Sequence, residues 1–136
     1  RAQLYHQRGD RARSRLFADS ARAVFEEQLR EAEEDGQRHA LYGVALAYLG
    51  RKNEAIREGL RGTELMPQSE DAFFGPYIQH QLVRIYLLVD EPERALDALE
   101  ELMRVRYTLT PAWMRIDPMF DPVRKHPRFV RIVQGD

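Results

Sequence analysis

The sequence predicts an all-α fold built from repeated helix pairs, and three observations favour it. Apolar residues recur at spacings of three and four along most of the chain, as they do on one face of an α-helix. Breaks at Gly9, Gly50 and Asp90 lie 41 and 40 residues apart, by subtraction of their numbers. No stretch alternates apolar and polar residues over a strand length, and no Asn-Gly hairpin turn occurs. A period of this length, made of two helices and two turns, is typical of a solenoid of helix pairs.

The first copy, residues 1–35, is the least regular of the three. Leu4 and Tyr5 precede the break at Gly9, and a longer apolar stripe follows it: Leu16, Ala18, Ala21, Val24, Phe25 and Leu29. Carboxylates then cluster where this helix should end, at Glu31, Glu33, Glu34 and Asp35. Because negative charge is disfavoured at a helix C-terminus, we interpret them as a solvated helix end rather than as acid–base machinery.

The second copy, residues 37–67, has the clearest helix signals. Its first stripe is Ala40, Leu41, Val44, Ala45, Tyr48 and Leu49. Gly50 is placed to end that helix, Asn53 to N-cap the next one, and Pro67 to stop it. Gly59 and Gly62 lie inside the second helix, where each costs about 0.5–1 kcal/mol relative to Ala. We therefore expect a neighbouring helix to approach these glycines closely.

The third copy, residues 76–106, repeats this order. Pro76 occupies a first helical turn, and the stripe that follows is Ile78, Leu82, Ile85, Tyr86 and Leu88. Pro92 begins the next helix, whose apolar side is Ala95, Leu96, Ala98, Leu99, Leu102 and Met103. The residue five positions past each break is small in all three copies: Ser14, Ala55 and Ala95.

Residues 40–50, Ala-Leu-Tyr-Gly-Val-Ala-Leu-Ala-Tyr-Leu-Gly, followed by Asn-Glu-Ala-Ile at 53–56 and by Pro67, resemble the tetratricopeptide repeat. The family's large, small, large, small and proline positions fall on Tyr42, Gly43, Leu46, Ala55 and Pro67, and the third copy matches through Tyr86, Ala95 and Leu99. The resemblance implies a right-handed α-α superhelix that binds proteins in a concave groove lined by the first helix of each pair.

The tail, residues 110–134, carries Thr-Pro, Asp-Pro and His-Pro pairs at Thr110, Asp117, Asp121 and His126. Thr110, Asp117 and Asp121 are expected to cap short helices that begin with proline. Their apolar residues should cover the last repeat, which has no further neighbour: Trp113, Ile116, Phe120, Val123, Phe129 and Ile132. The tail also resembles the closing segment of tetratricopeptide regions in multidomain bacterial signalling proteins. The resemblance implies that a kinase, cyclase or DNA-binding domain lies outside this chain.

Composition narrows the function classes. With 21 basic and 22 acidic side chains the net charge is -1, so the chain exerts no long-range attraction on nucleic acid or an anionic membrane. The chain has no cysteine, which excludes disulfide scaffolds and thiolate zinc sites but leaves the redox compartment undecided. It has no apolar run of membrane-spanning length and no signal peptide, so we expect a cytoplasmic protein. It begins at Arg1 without a Met, which suggests a fragment of a longer protein.

No constellation in the sequence is suited to catalysis. The four histidines, His6, His39, His80 and His126, are not spaced for metal ligation from one helix. The serines lack a nucleophile motif, and no glycine-rich loop could hold a phosphate. We expect neither a cofactor nor a metal, and no enzyme activity.

The predicted functional surface is the concave groove. The resemblance assigns to it Gln37, Ala40, Leu41, Val44 and Tyr48 from one copy, and Tyr77, His80, Gln81, Arg84 and Leu88 from the next. The family's carboxylate clamp for chaperone tails is not reproduced, because Ala40 and Val44 occupy its polar positions. Arg84 and His80 beside Tyr77 could instead hold an acidic or aromatic side chain of a peptide. The alternative is that Arg84 pairs with a carboxylate of its own chain.

Two functions remain open at this point. The first is a protein-interaction module whose partner is a protein or peptide. The second is a purely structural repeat segment that packs on further repeats or associates with a second copy as a homodimer.

Overall fold

The computed structural model describes residues 11–105 and 109–135, and this part of the chain is all-helical, without a strand. It contains seven α-helices and one 3-10 helix: α1 Arg11–Glu31, α2 Gly36–Tyr48, α3 Lys52–Leu65, α4 Gly75–Leu88, α5 Pro92–Leu102, α6 Pro111–Ile116, the 3-10 helix Pro118–Val123, and α7 Pro127–Gln134. The predicted all-α class is confirmed. Leu4, Tyr5, His6 and Gly9 lie outside the described residues. Within them, no helix is long and apolar enough to cross a membrane.

The described helices pack on one another largely in chain order. Helix α1 lies against α2, α2 and α3 form an antiparallel pair, and α4 packs on both members of that pair. Helix α5 pairs with α4, the 3-10 helix contacts α4, and α7 contacts α5 and α6. One hydrophobic core runs from the α2–α3 pair to the tail, and its fully buried members include Leu46, Ile85, Leu99 and Phe120.

The three small residues of the repeat pattern occupy equivalent places near the starts of α1, α3 and α5. Ser14, Ala55 and Ala95 are each at most 1% exposed, and a small side chain suits such closely packed places. The first copy differs in length. Helix α1 has 21 residues, whereas α3 has 14 and α5 has 11.

The breaks at Gly50 and Asp90 are the same turn. Both residues are left-handed, with φ of 77° and 61°. In each turn the following amide donates across the helix end, from Arg51 N to the Leu46 carbonyl at 3.0 Å and from Glu91 N to the Tyr86 carbonyl at 2.8 Å. These bonds close a Schellman C-cap. The sequence signal at Gly50 is therefore confirmed, and Asp90 adopts the same backbone without the freedom of a glycine.

Two predictions about the helix ends of the second copy need correction. Asn53 lies inside α3, which begins at Lys52 behind a cap residue, Arg51, that makes no side-chain cap bond. The turn at Gly50 returns the chain to helical geometry one residue later, so no position is left for a separate cap at 53. Asp35, which we assigned to a solvated helix end, accepts from Arg38 N at 3.0 Å and caps α2.

Glycines let α2, α3 and α4 approach one another, as expected. A Cβ added at Gly62 would lie 2.8 Å from the Gly36 carbonyl oxygen, and one at Gly43 would lie 2.9 Å from the Ala55 carbonyl oxygen. At Gly59 the nearest atom would be Cδ1 of Ile85, at 2.8 Å. Gly62 and Gly43 therefore face backbone of the paired helix, whereas Gly59 faces a methyl group of α4.

The tail folds back on α4 and α5. Thr110 accepts from Trp113 N at 3.1 Å and Asp117 from Met119 N at 3.0 Å, so two predicted caps are confirmed. The third was wrong, because Asp121 lies within the 3-10 helix and α7 is capped by Nδ1 of His126. 

The apolar cover of the tail is also partly different from the prediction. Phe120, Val123 and Phe129 are buried as expected, and Ile132 packs against the core. Trp113 and Ile116 are 54% and 68% exposed instead. Helix α6 has only six residues and so buries one narrow face, and Met114 occupies it.

Two arginines hold the tail in place. Arg128 of α7 donates to Glu93, Asp97 and Glu100 of α5 at distances of 2.8–3.1 Å, which raises the pKa of its guanidinium. Arg124 donates to the main-chain carbonyls of Met114, Arg115 and Asp117 and thereby satisfies the open end of α6.

Candidate protein-binding surface

The ten residues predicted to line a groove lie on α2 and α4, which pack side by side. Ala40 is fully buried against Gly62, since a Cβ added at Gly62 would lie 3.2 Å from the Cβ of Ala40. Gln81 is only 3% exposed. The structure thus removes these two side chains from any surface that a ligand could contact. The other eight are partly exposed: Gln37, Leu41, Val44, Tyr48, Tyr77, His80, Arg84 and Leu88.

These eight residues do not meet in a single pocket. Gln37 and Tyr48 are separated by eleven residues of α2, about 16 Å along the helix axis. Gln37 lines a cavity at the N-terminal end of α2 together with Leu65, Met66 and Phe74. Tyr48 lies near the opposite end of α2, on the side of Arg84.

Arg84 is the charged group at the tail end of this face. Its Nη1 donates to Oε1 of Gln81 at 3.2 Å, and its Nε contacts Sδ of Met119 at 3.5 Å. Within residues 11–105 and 109–135, no carboxylate lies within salt-bridge distance of this guanidinium. The guanidinium is partly buried, and its side-chain contacts are with a neutral amide and a thioether. Burial of a cation without an anionic partner costs free energy.

Two titratable side chains near Arg84, those of Tyr48 and His80, are uncharged at neutral pH. Burial raises the pKa of Tyr48 to about 12, although the Arg84 charge acts in the opposite direction. Burial lowers the pKa of His80 to about 4, with Arg84 contributing to the lowering and Asp117 opposing it. Arg84 is thus the member of this cluster that can attract an anion, while Tyr48 and His80 carry no charge.

The protein's own tail forms one wall of this face. The 3-10 helix packs on α4, Met119 contacts Arg84, and the charge of Asp117 reaches His80. The tail therefore borders the part of this surface that contains Arg84. Any ligand there would contact α2, α4 and the tail together.

Two pairs of exposed apolar side chains differ from the sequence interpretation, which left the first pair unassigned and expected the second pair to be buried. Phe73 and Phe74 are 87% and 44% exposed in the loop between α3 and α4. Trp113 and Ile116 are exposed on α6, whose Arg115 lines a cavity of about 270 Å3 together with Phe129 and Val133 of α7. The signal for the first pair was present, since adjacent aromatic residues between Pro67 and Pro76 belong to no helical stripe.

Two of the histidines serve as structural partners of glutamates. Nδ1 of His39 lies 2.5 Å from Oε2 of Glu58, and Nε2 of His126 lies 2.6 Å from Oε1 of Glu93. In the described ranges, no three acidic or histidine side chains come together in a way that could hold a metal ion.

Comparison with known proteins identifies no matching family model, no similar curated protein and no similar solved structure.

Proposed function

We propose that this chain is a protein-interaction module and not an enzyme, with the α2–α4 face around Arg84 as its binding site. The ligand is a protein or peptide that presents an acidic side chain, alone or next to an aromatic one. The observation that carries the proposal is Arg84, a partly buried cation with no carboxylate partner among the described residues.

A ligand carboxylate would offset the desolvation of this guanidinium. The forked donors of arginine suit a carboxylate, and a charge-assisted bond is stronger than the present contacts to Gln81 and Met119. Tyr48 and the partly exposed Leu88 would contact the remainder of such a ligand.

A tetratricopeptide-like, right-handed superhelix is the architecture we propose for the stack. It is supported by the serial packing of α1 to α5, by the small buried residues Ser14, Ala55 and Ala95, and by the equivalent turns at Gly50 and Asp90. The tail takes the place of a further pair against α4 and α5. A cytoplasmic location and a parent protein of the bacterial signalling type are part of this proposal, on the resemblance alone.

The binding site is tested by titrating the labelled chain with an acetylated peptide, Asp-Glu-Phe-Glu-Trp, and following amide and arginine Nε signals by NMR. We expect shifts at Arg84, Tyr48 and Leu88, and binding weakened at least about fivefold by Arg84→Gln. Arg57→Gln is the matched control, because Arg57 is an exposed arginine on α3. Equal weakening by both variants would show that the peptide responds only to overall charge.

The second candidate is a structural segment that associates with another copy of itself. The exposed Trp113 and Ile116 on α6 favour it, because exposed apolar side chains at the end of a repeat stack are commonly buried by a neighbour. Light scattering across a wide concentration range separates the two. A dimer that dissociates in Ile116→Ser supports self-association, whereas a monomer at all concentrations excludes it.

A further inference from the structure

A second surface lies at the other end of α2, between the loops that join α1 to α2 and α3 to α4. It is a cavity of about 580 Å3 with an apolar floor of Ala32, Leu65, Met66 and Phe74. The ring of Phe73 lies 5.9 Å from that of the lining residue Phe74, and at 87% exposure Phe73 is the most exposed large apolar side chain of the described residues. We refer to this surface as the Phe73 cleft.

The loop that carries Phe73 is well bonded. Oδ1 of Asp71 accepts from the amides of Phe73 and Phe74 at 3.0 and 2.9 Å, and Asp71 N donates to the Pro67 carbonyl at 2.8 Å. Gln68 donates to the carbonyl of Glu101 at 2.5 Å, which ties the loop to the end of α5.

Packing within the loop is equally tight. A Cβ at Gly75 would lie 2.4 Å from Cα of Gln68, so no side chain fits where the loop closes on itself. The exposure of Phe73 is therefore a property of a fixed loop conformation. A preformed apolar projection lowers the entropy cost of binding a partner.

The charge at the cleft is negative. Glu34 and Asp35 line it, and Glu31 and Glu33 belong to the same segment. The nearby cations are already engaged, since Arg38 pairs with Asp35 and Arg30 with Glu27. Over the part of the chain that the structure describes, Glu31, Glu33 and Glu34 have no basic side chain within salt-bridge distance. Electrostatic complementarity then requires positive charge around the apolar group that enters.

We propose that the Phe73 cleft binds a segment of a partner protein in which a large apolar side chain is flanked by lysine or arginine. The apolar side chain contacts Phe73, Phe74 and Met66, and the flanking cations face Glu33 and Glu34. This site is separate from the one around Arg84 and selects ligands of opposite charge. An anionic membrane is a poorer occupant, because the same carboxylates would face its headgroups.

The test uses the full chain and two labelled peptides with the same apolar centre, Gly-Lys-Lys-Leu-Phe-Lys-Lys-Gly and Gly-Glu-Glu-Leu-Phe-Glu-Glu-Gly, followed by fluorescence anisotropy and amide NMR. We expect the basic peptide to bind at least about tenfold more tightly than the acidic one, and less tightly at high salt. The shifts should map to Ala32, Leu65 and Phe74.

Three variants decide whether this binding occurs in the Phe73 cleft. Phe73→Ser and Glu34→Lys should each weaken the basic peptide at least about fivefold. Ile116→Ser, which removes an exposed apolar side chain on α6, should leave it unchanged. All three variants should keep the far-ultraviolet circular dichroism of the parent chain.

The proposal is overturned if the two peptides bind alike, or if Phe73→Ser leaves the basic peptide unaffected. It is also overturned if the basic peptide does not bind while phospholipid vesicles do so through Phe73, or if Phe73→Ser instead abolishes a dimer of this chain. Failure here leaves the acidic peptide at Arg84 untouched, since that binding is measured with Arg84→Gln.

Discussion

The close contact between α2 and α3 can be tested with two glycines of the same helix. Gly59 and Gly62 lie one turn apart on α3, and both are buried. In a helix interior, Gly→Ala is expected to stabilise by about 0.5–1 kcal/mol when the new methyl group meets open space. At Gly59 and Gly62 the new methyl group would instead meet other atoms, which belong to side chains at Gly59 and include a backbone oxygen at Gly62.

At Gly62 the added Cβ would lie 2.8 Å from the carbonyl oxygen of Gly36 and 3.2 Å from methyl groups of Ala40 and Ile78. The oxygen belongs to helical backbone, so α2 and α3 must move apart. Overpacking of this kind costs about 1–3 kcal/mol, which exceeds the helix-propensity gain. We expect Gly62→Ala to reduce the free energy of unfolding by about 1–2 kcal/mol, and the midpoint temperature by roughly 4–8 °C.

At Gly59 the added Cβ would meet Cδ1 of Ile85 at 2.8 Å and Cδ1 of Leu82 at 3.0 Å. Both atoms are ends of flexible side chains that can rotate away, so the packing cost and the propensity gain nearly cancel. We expect Gly59→Ala to change the free energy of unfolding by less than about 0.5 kcal/mol. Urea unfolding followed by circular dichroism measures both variants. Equal losses at the two positions, or a gain at Gly62, would refute the backbone-contact explanation.

Three further predictions follow from single side chains. The pKa of His80 is about 4 in the folded protein and ordinarily 6.5, so as the pH falls the unfolded chain binds the proton first, and the stability that neutral His80 contributes above pH 6.5 is lost toward pH 4. Between pH 7 and pH 4, the free energy of unfolding in urea should therefore fall by about 3 kcal/mol more for wild type than for His80→Gln. Arg128→Ala should lower the free energy of unfolding by about 1–2 kcal/mol at low salt and by less at high salt, whereas Arg131→Ala, at an exposed position of the same helix, should leave it nearly unchanged. Equal losses in the two variants would contradict a specific role for the contacts of Arg128 to α5. Asp90 has a left-handed φ of 61°, so Asp90→Gly should raise the thermal midpoint, and Asp90→Val should lower the free energy of unfolding by about 1 kcal/mol or more. The reverse order of stability would exclude backbone strain at this turn.

The sequence predicted those features that depend on local patterns. Helix pairs followed from periodicity, and the turn at Gly50 followed from the backbone freedom of glycine. The close approach at Gly59 and Gly62 followed from their propensity cost, which no isolated helix would tolerate without a packing reason. In each case the physical cause acts within a few residues or across one helix contact.

Features that depend on the position of distant elements could not be predicted. Ala40 belongs to the expected helix face, but the glycine-mediated approach of α3 buries it completely. Trp113 and Ile116 have the same apolar character as Phe120, and only the placement of a six-residue helix decides which of them is covered. The carboxylates that hold Arg128 lie 28 to 35 residues away in sequence, so no local signal connects them with it.

The distribution of charge changes what the overall balance means. A net charge of -1 gives no long-range attraction to a nucleic acid or an anionic membrane. This small net charge is nevertheless the sum of segments that differ strongly in their own charge. Residues 26–35 contain six carboxylates and one arginine, whereas residues 109–135 contain five lysines and arginines and two aspartates. The acidic segment borders the Phe73 cleft, and the basic tail packs against α4 beside Arg84. Because screening limits exposed charges to roughly 8–10 Å at physiological salt, each surface presents its own local charge to a ligand. The two proposed binding surfaces, at opposite ends of α2, therefore differ in local charge although the chain as a whole is nearly neutral.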